Sequence, residues 1–372
     1  TELSGGTMCP SYMATKDEFS TTRARANILR NFLTKSENQN KFSHNEIYDV
    51  MDLCLSCKGC KSECPSNVDV AKLKAEFLHQ YYKEHGIPWR SKMFGKIGQI
   101  NQLNSKFPRL VNFFMKNPVS SSLMKKVMGV AQQRNLPLVA VETTGRWAKN
   151  NPDQLKSSHA KGKVYLFNDE FTNYLDAEVG KKAVRVLVLL GYEVEIVKHW
   201  ESGRSFMSKG MLTEAKDLAI KNVKLFSEMI TSETPLVGVE PSAILSFRDE
   251  YIDLVPLELK EKAQKLAKNA FMVDEFIHAE MQKGKITSAS FTLASKKVLL
   301  HGHCHQKALS SVNKSKDILS LPKNYKVEVI PSGCCGMAGS FGYEKEHYDV
   351  SMQVGELVLF PAIRKSDENV LI

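Results

Sequence analysis

Cysteines at positions 54, 57, 60 and 64, the last followed by Pro65, form a Cys-x2-Cys-x2-Cys-x3-Cys-Pro run, and Cys9-Pro10 stands well upstream of it. Three thiolates at every third position can wrap one face of a cubane, while a fourth cysteine followed by proline points to another cluster where two are bound. This is iron–sulfur spacing. Zinc ordinarily takes two separated cysteine pairs, and a disulfide framework would need an export signal that the start Thr1-Glu2-Leu3 does not supply. The other three of the eight cysteines form a second constellation, Cys304 within His303-Cys304-His305 and the adjacent pair Cys334-Cys335. Adjacent cysteines fit one cubane corner poorly; they suit a non-cubane iron–sulfur cluster or a single zinc. If Cys304 ends a strand, His303 and His305 point to one side by strand alternation and are candidate spare ligands, or else structural histidines.

Such sites need elements to hold them. Ile28, Leu29, Phe32 and Leu33 share a helical stripe, and Ser43-x-x-Glu46 reads as a capping box opening a helix that runs through Ile47, Val50 and Met51 to Cys54. A further helix is expected from a polar cap after Cys64-Pro65-Ser66-Asn67, through Val70, Leu73, Phe77 and Tyr81, to His85-Gly86. From about residue 160 short apolar runs alternate with amphipathic helices, which predicts an α/β unit with a mostly parallel sheet. Residues 164–170 match 298–304, and 194–197 match 327–330 at an offset of 133, the pattern of a duplicated unit. Cys304 and Cys334-Cys335 then converge at strand carboxyl ends, where open α/β sheets place ligands. The first copy carries Glu170, Glu201 and Ser202 there, a degenerate site or a remnant for a hard metal or a proton, and Arg204 with Lys209 beside it could hold an anion.

The chain has 372 residues, enough for two or three domains, and no apolar run as long as the roughly 18 residues of a membrane helix. All eight cysteines fall in motifs, which favours a reducing compartment and a cytoplasmic location. Net charge is +10, and residues 86–141 hold nine Lys and Arg with no Asp or Glu. Trp89, Phe94, Phe107, Leu110, Phe113 and Phe114 interleave with these charges, a basic amphipathic pattern for peripheral membrane contact, for an acidic partner, or for a connector packed on its neighbour. Nucleic acid is not an expected partner.

Taken together, Gly5-Gly6-Thr7-Met8-Cys9-Pro10, Thr22-Arg23-Ala24-Arg25, the Cys54–Pro65 run, His303-Cys304-His305-Gln306-Lys307 and Ser332-Gly333-Cys334-Cys335-Gly336 resemble the iron–sulfur half of FAD-linked oxidoreductases of D-2-hydroxy acids such as D-lactate, glycolate and D-2-hydroxyglutarate. The chain is also similar to the glycolate oxidase iron–sulfur subunit and to heterodisulfide reductase. The resemblance implies α + α/β: an α-helical ferredoxin-like [4Fe–4S] domain over 1–88, a basic helical connector over 89–158, a degenerate copy of the cysteine-rich CCG domain over 159–288 and a second CCG copy, truncated, over 289–372.

With the tails crossing over as in two-cluster ferredoxins, Cys9 completes the cluster of Cys54, Cys57 and Cys60, and Cys64 serves another cluster whose remaining ligands lie upstream of Thr1. Arg23, Arg25, Lys58 and Lys61 are candidates for offsetting the cluster's charge. Cys304, Cys334 and Cys335 hold the second centre. Implied partners are an FAD-binding dehydrogenase domain or subunit and a downstream acceptor such as a quinone. No catalytic residue or hydroxy-acid site is visible. The alternatives are a thiol–disulfide module acting through Cys334-Cys335 and a zinc-stabilised scaffold.

Overall fold

The computed structural model describes residues 8–372, so Gly5, Gly6 and Thr7 of the Cys9 motif lie outside the described residues. Helices α1 (Pro10–Thr15), α2 (Thr22–Lys35), α3 (Asn45–Asp52), α4 (Gly59–Glu63) and α5 (Val70–His85) pack around Leu29, Ile47, Met51 and Phe77. The Thr21 side chain caps α2, and Asp69 caps α5 by accepting from the Ala71 and Lys72 amides. Two expected caps are displaced. Helix α3 starts after His44 with no side-chain cap, because the Ser43 hydroxyl bonds His85 at 2.9 Å across the bundle; α5 starts at Asp69 rather than at Ser66 or Asn67.

Residues 86–141 are helical, as α6 (Trp89–Gly95), α7 (Ile97–Asn104), α8 (Pro108–Lys116) and α9 (Pro118–Met128), followed by α10 (Thr144–Asn150). The sheet comprises β1 (Gly162–Phe167), β2 (Tyr192–Glu195), β3 (Leu236–Gly238) and β4 (Ala270–Met272), parallel and in the order β2-β1-β3-β4. Crossovers run through α11 (Glu170–Tyr174) and α12 (Ala177–Leu189), then α13 (Arg204–Ser208) and α14 (Leu212–Phe226), then α15 (Pro241–Ile244), α16 (Glu250–Leu254) and α17 (Leu257–Ala267), with α18 (Val273–Gln282) closing the unit. Separate apolar clusters cover the two faces, one around Phe167, Phe206 and Phe226 and one around Val164, Leu187 and Phe276. Burial on both faces explains why these strands read as continuous apolar runs.

A second parallel pair, β5 (Lys296–Leu300) and β6 (Tyr325–Val329), is linked by α19 (Cys304–Leu309) and α20 (Val312–Leu319) and followed by α21 (Tyr348–Leu357) and α22 (Leu359–Arg364). Val298 faces Val327 in this pair as Val164 faces Val194 in β1–β2. Leu371 joins the other edge of β5 in parallel, bonding Leu299 and Lys297 at 2.8 and 3.0 Å, the place β3 takes beside β1. The mixture of helical layer and parallel sheet is α + α/β.

One polar clasp ties the parts. Glu344, after β6, takes Arg90 of α6 and Lys209 following α13, and lies 3.4 Å from the His347 imidazole, which also bonds Asp52 of α3 at 2.9 Å and stacks on Phe341. Glu344, Glu346 and His347 are close enough together to hold a cation, but Arg90 and Lys209 already neutralise the carboxylates. Burial would lower the His347 pKa; hydrogen bonds to Asp52 and Glu344 overcome it and raise it from 6.5 to about 9. A raised folded pKa gives stability that is fully present below the unfolded value and is lost as pH climbs through the folded one. The melting-temperature difference between parent and His347→Gln is therefore expected to be largest below pH ~6.5 and to shrink as pH passes about 9, as read by scanning fluorimetry.

Candidate iron–sulfur centres

Cys9, Cys54, Cys57 and Cys60 line one cavity, with Thr22, Arg25, Ser56 and Val70 around them. Three non-glycine residues of this rim, Cys9 (φ 52°), Ser56 (φ 54°) and Lys58 (φ 61°), adopt the left-handed conformation. Each costs on the order of 1–3 kcal/mol and persists only where surrounding structure enforces it. Two helix starts aim at sulfur: the Thr22 amide, first in α2, donates to Cys9 Sγ at 3.1 Å, and the Val70 amide, first in α5, donates to Cys60 Sγ at 3.3 Å. Helix N-termini favour anions, so these thiols are placed to ligate as thiolates. Without a metal, burial pushes both thiols above their usual range.

Arg25 adds the electrostatic half. It is buried against the cavity, its Nε donates to the Val50 carbonyl at 3.1 Å and its Nη2 to the Ser11 hydroxyl at 3.3 Å, and no carboxylate pairs with it among the described residues. A buried cation lacking a counter-charge is unfavourable. A cubane on four thiolates is an anion and supplies one. Spacing agrees: no three cysteine sulfurs among the described residues lie within 4.8 Å of one another, whereas thiolates on one tetrahedral zinc would sit about 3.8 Å apart. The residues fit a [4Fe–4S] cluster. Cys64 lies outside the cavity, at the end of α4, and backbone amides of Val68 and Ser66 lower its thiol pKa.

The second constellation departs from the sequence expectation in one respect. Strand β5 ends at Leu300, so Cys304 opens α19 and His303 is its N-cap; strand alternation does not govern His303 and His305. His303 instead accepts from the His305 amide and reaches Glu240 at 3.7 Å, while both ring nitrogens of His305 are buried with no hydrogen-bond partner. Cys334 shares hydrogen bonds with Cys304 and Cys335, so the three thiols do converge. Hydrogen bonds from Cys334, opposed by burial and helped by His301, pull Cys335 down to about 3. Lys307 donates to the Ser332 and Gly333 carbonyls and fixes the loop before the pair. Gly336 (φ 84°) is obligatory: a Cβ there would collide with the Ser351 carbonyl oxygen.

The two cysteine sets are neighbours. Helix α4 packs on α19, and Leu55 of the first loop shares a core with Cys334 and Phe341. Burial first, and next the charge on Cys304, raise the Cys57 thiol. Behind this wall, Lys58 is fully buried among Asp69 and Asp249 at 2.8 Å and Glu250 at 3.1 Å, with Lys61 2.5 Å from Asp249. Lys58 is thus a neutralised anchor. Its pairing was invisible in the sequence because Asp249 and Glu250 come from the sheet unit. Arg204 pairs with Glu250 and Lys209 with Glu344, so the expected anion site is already filled by internal carboxylates.

The same holds at the carboxyl ends of β1 and β2. Glu170 accepts from the Ser202 amide and hydroxyl at 2.8 and 2.6 Å, the Glu201 carboxyl abuts Gly98 of α7, and Ala243 is buried. Burial, with Glu240 and Glu170 nearby, raises Asp169 to about 8, and burial raises Glu201 to about 7.

Residues 6–69 match the family model of the 4Fe-4S dicluster domain. The N-terminal part is an iron–sulfur module. The chain is 28% identical over 350 residues to D-2-hydroxyglutarate dehydrogenase of Escherichia coli (strain K12), covering 91% of this chain and 33% of that protein. It is 24% identical over 279 residues to a subunit of anaerobic glycerol-3-phosphate dehydrogenase from the same organism, covering 73% of this chain and 67% of that protein. It is 28% identical over 185 residues to lactate utilization protein A of Bacillus velezensis (48% and 74%). The iron–sulfur module and its flanking sequence thus span about a third of the D-2-hydroxyglutarate dehydrogenases they match. No solved structure matches. These matches accord with the resemblance to the iron–sulfur and CCG portion of FAD-linked oxidases.

Two outcomes follow for the cavity. Cys9→Ser is expected to abolish iron and sulfide binding at this cluster and Cys64→Ser to leave it intact, as measured by iron and acid-labile sulfide per chain. Arg25→Met is expected to shrink the gain in melting temperature on cluster loading, with Arg25→Lys keeping most of it; an equal gain in all three proteins would remove the counter-charge role.

Proposed function

We propose that this chain is the electron-transfer module of an FAD-dependent oxidoreductase. Electrons taken from a D-2-hydroxy acid by a flavin partner pass through a cluster held by Cys9, Cys54, Cys57 and Cys60 to a centre held by Cys304, Cys334 and Cys335, and on to an acceptor such as a quinone. Bound iron supplies the one-electron chemistry; the chain supplies position, charge and exclusion of water. The observation that carries this reading is the shared wall between the two cysteine sets, where α4 packs on α19 and Leu55 shares an apolar cluster with Cys304 and Cys334. Cys64 is assigned to a further cluster, in keeping with the dicluster family match. In this reading the Val164/Val298 and Val194/Val327 correspondences mark a duplicated CCG domain whose first copy exchanged its metal for the Glu170–Ser202 bonds.

A second reading, thiol–disulfide chemistry at the second site, is supported by the lowered Cys304 and Cys335 thiols. Anaerobic reconstitution with iron, sulfide and zinc analysis and EPR separates these. The relay predicts that Cys334→Ser/Cys335→Ser keeps the first cluster's EPR signal but slows electron delivery from a reduced flavoprotein to an acceptor dye at least tenfold. Unchanged delivery would contradict it. Zinc without sulfide would leave a structural scaffold, and the chain alone should not reduce dye with D-lactate.

A further inference from the structure

Helix α8 packs lightly on the protein, with Pro108, Val111, Asn112 and Met115 half-buried. It buries none of its residues, and its polar Asn112 faces the protein, exchanging hydrogen bonds of 2.8 and 2.9 Å with the Val139 backbone. A second apolar row faces outward: Phe107 just before it, then Leu110, Phe113 and Phe114, are between 47% and 64% exposed. After the turn at Asn117, α9 continues the surface with Val119, Leu123 and Val127, spaced i, i+4, i+8 and between 62% and 79% exposed. Soluble proteins rarely leave so many large apolar side chains together in water.

Charge around the patch has one sign. Lys106, Arg109, Lys116 and Lys126 are exposed and make no ion pair among the described residues, and no acidic residue occurs between 86 and 141. Other cations of the same stretch are used internally: Arg90 in the Glu344 clasp, Lys125 on the Gln132 carbonyl and Arg134 on Gly342 and Ser351. Six remain exposed without an ion pair among the described residues: Lys92 and Lys96 upstream, and these four on or beside α8 and α9.

We infer that α8 and α9 form a docking face for an anionic phospholipid surface. Protein interfaces deplete lysine and draw their energy from Trp, Tyr and Arg. This face has three lysines, one arginine, and Phe, Leu and Val as its anchors, with neither Trp nor Tyr. That is the composition of a helix lying in a bilayer interface, apolar side in the acyl boundary and basic side chains at the headgroups. No described helix is long and apolar enough to cross a membrane, so the contact lies in the interface plane.

The test is flotation of the iron-loaded chain with vesicles of phosphatidylcholine alone and of phosphatidylcholine with phosphatidylglycerol. Partition is expected to be at least tenfold higher on the anionic vesicles and to fall, without vanishing, in high salt. Lys116→Gln and Lys126→Gln should each weaken it about fivefold. Phe113→Ser/Phe114→Ser should abolish it, with circular dichroism, melting temperature and iron content unchanged because both rings are exposed. Equal binding to both vesicles, no binding, or unchanged binding of the Phe variant overturns the assignment. So does light scattering that finds a dimer which the Phe variant dissociates, since the patch would then be covered by a second copy. Flotation reads no redox event, so its failure leaves the electron-transfer reading standing.

Discussion

Four thiols and a guanidinium enclosed in one cavity set the terms for the rest of this structure. Arg25 has only neutral acceptors among the described residues, and burial raises the Cys9, Cys57 and Cys60 thiols, so an anionic centre in the cavity supplies the missing counter-charge. The loop around it is strained at Cys9, Ser56 and Lys58. Something outside the loop has to hold that conformation. Lys58 does so, driven through the loop into a carboxylate nest made by Asp69, Asp249 and Glu250.

This arrangement explains why the four-stranded sheet unit, which has no cysteines, is nonetheless packed against the site. Its carboxylates anchor Lys58, Lys61 and Lys72, and its Lys209 enters the Glu344 clasp. At its end Glu170 is held by the Ser202 amide and hydroxyl, and Ala243 is buried. The β5–β6 unit carries Cys304, Cys334 and Cys335, and its α19 packs on α4. The helical bundle, the first sheet and the second sheet meet at one junction, which fixes the separation of the two cysteine sets.

Much of the site was legible in the chain. The cysteine spacing marked both sets of thiols, and the apolar periodicities marked α2, α3 and α5. The matches of 164–170 to 298–304 and of 194–197 to 327–330 located strands that pair in the same register. What was misread involved partners remote in sequence: Ser43 caps nothing because His85 takes its hydroxyl, and Arg204 and Lys209 hold no anion because Glu250 and Glu344 arrive from elsewhere. Strand alternation failed for His303 and His305 because β5 stops at Leu300, a boundary that periodicity over so short a run does not fix.

The sequence by itself marked the candidate thiols, since Cys54, Cys57, Cys60 and Cys64 are spaced within one local run, and it determined the alternation of strands and helices, since burial on both faces writes itself into apolar runs. Only the tertiary structure decided that α4 packs on α19 and brings the two cysteine sets together, that Arg25 rather than Lys58 is the cation without a carboxylate partner among the described residues, and that Leu110, Phe113 and Phe114 of α8 face solvent. Each of these depends on which groups, distant along the chain, share a low-dielectric interior or a surface, and residue order does not encode that proximity.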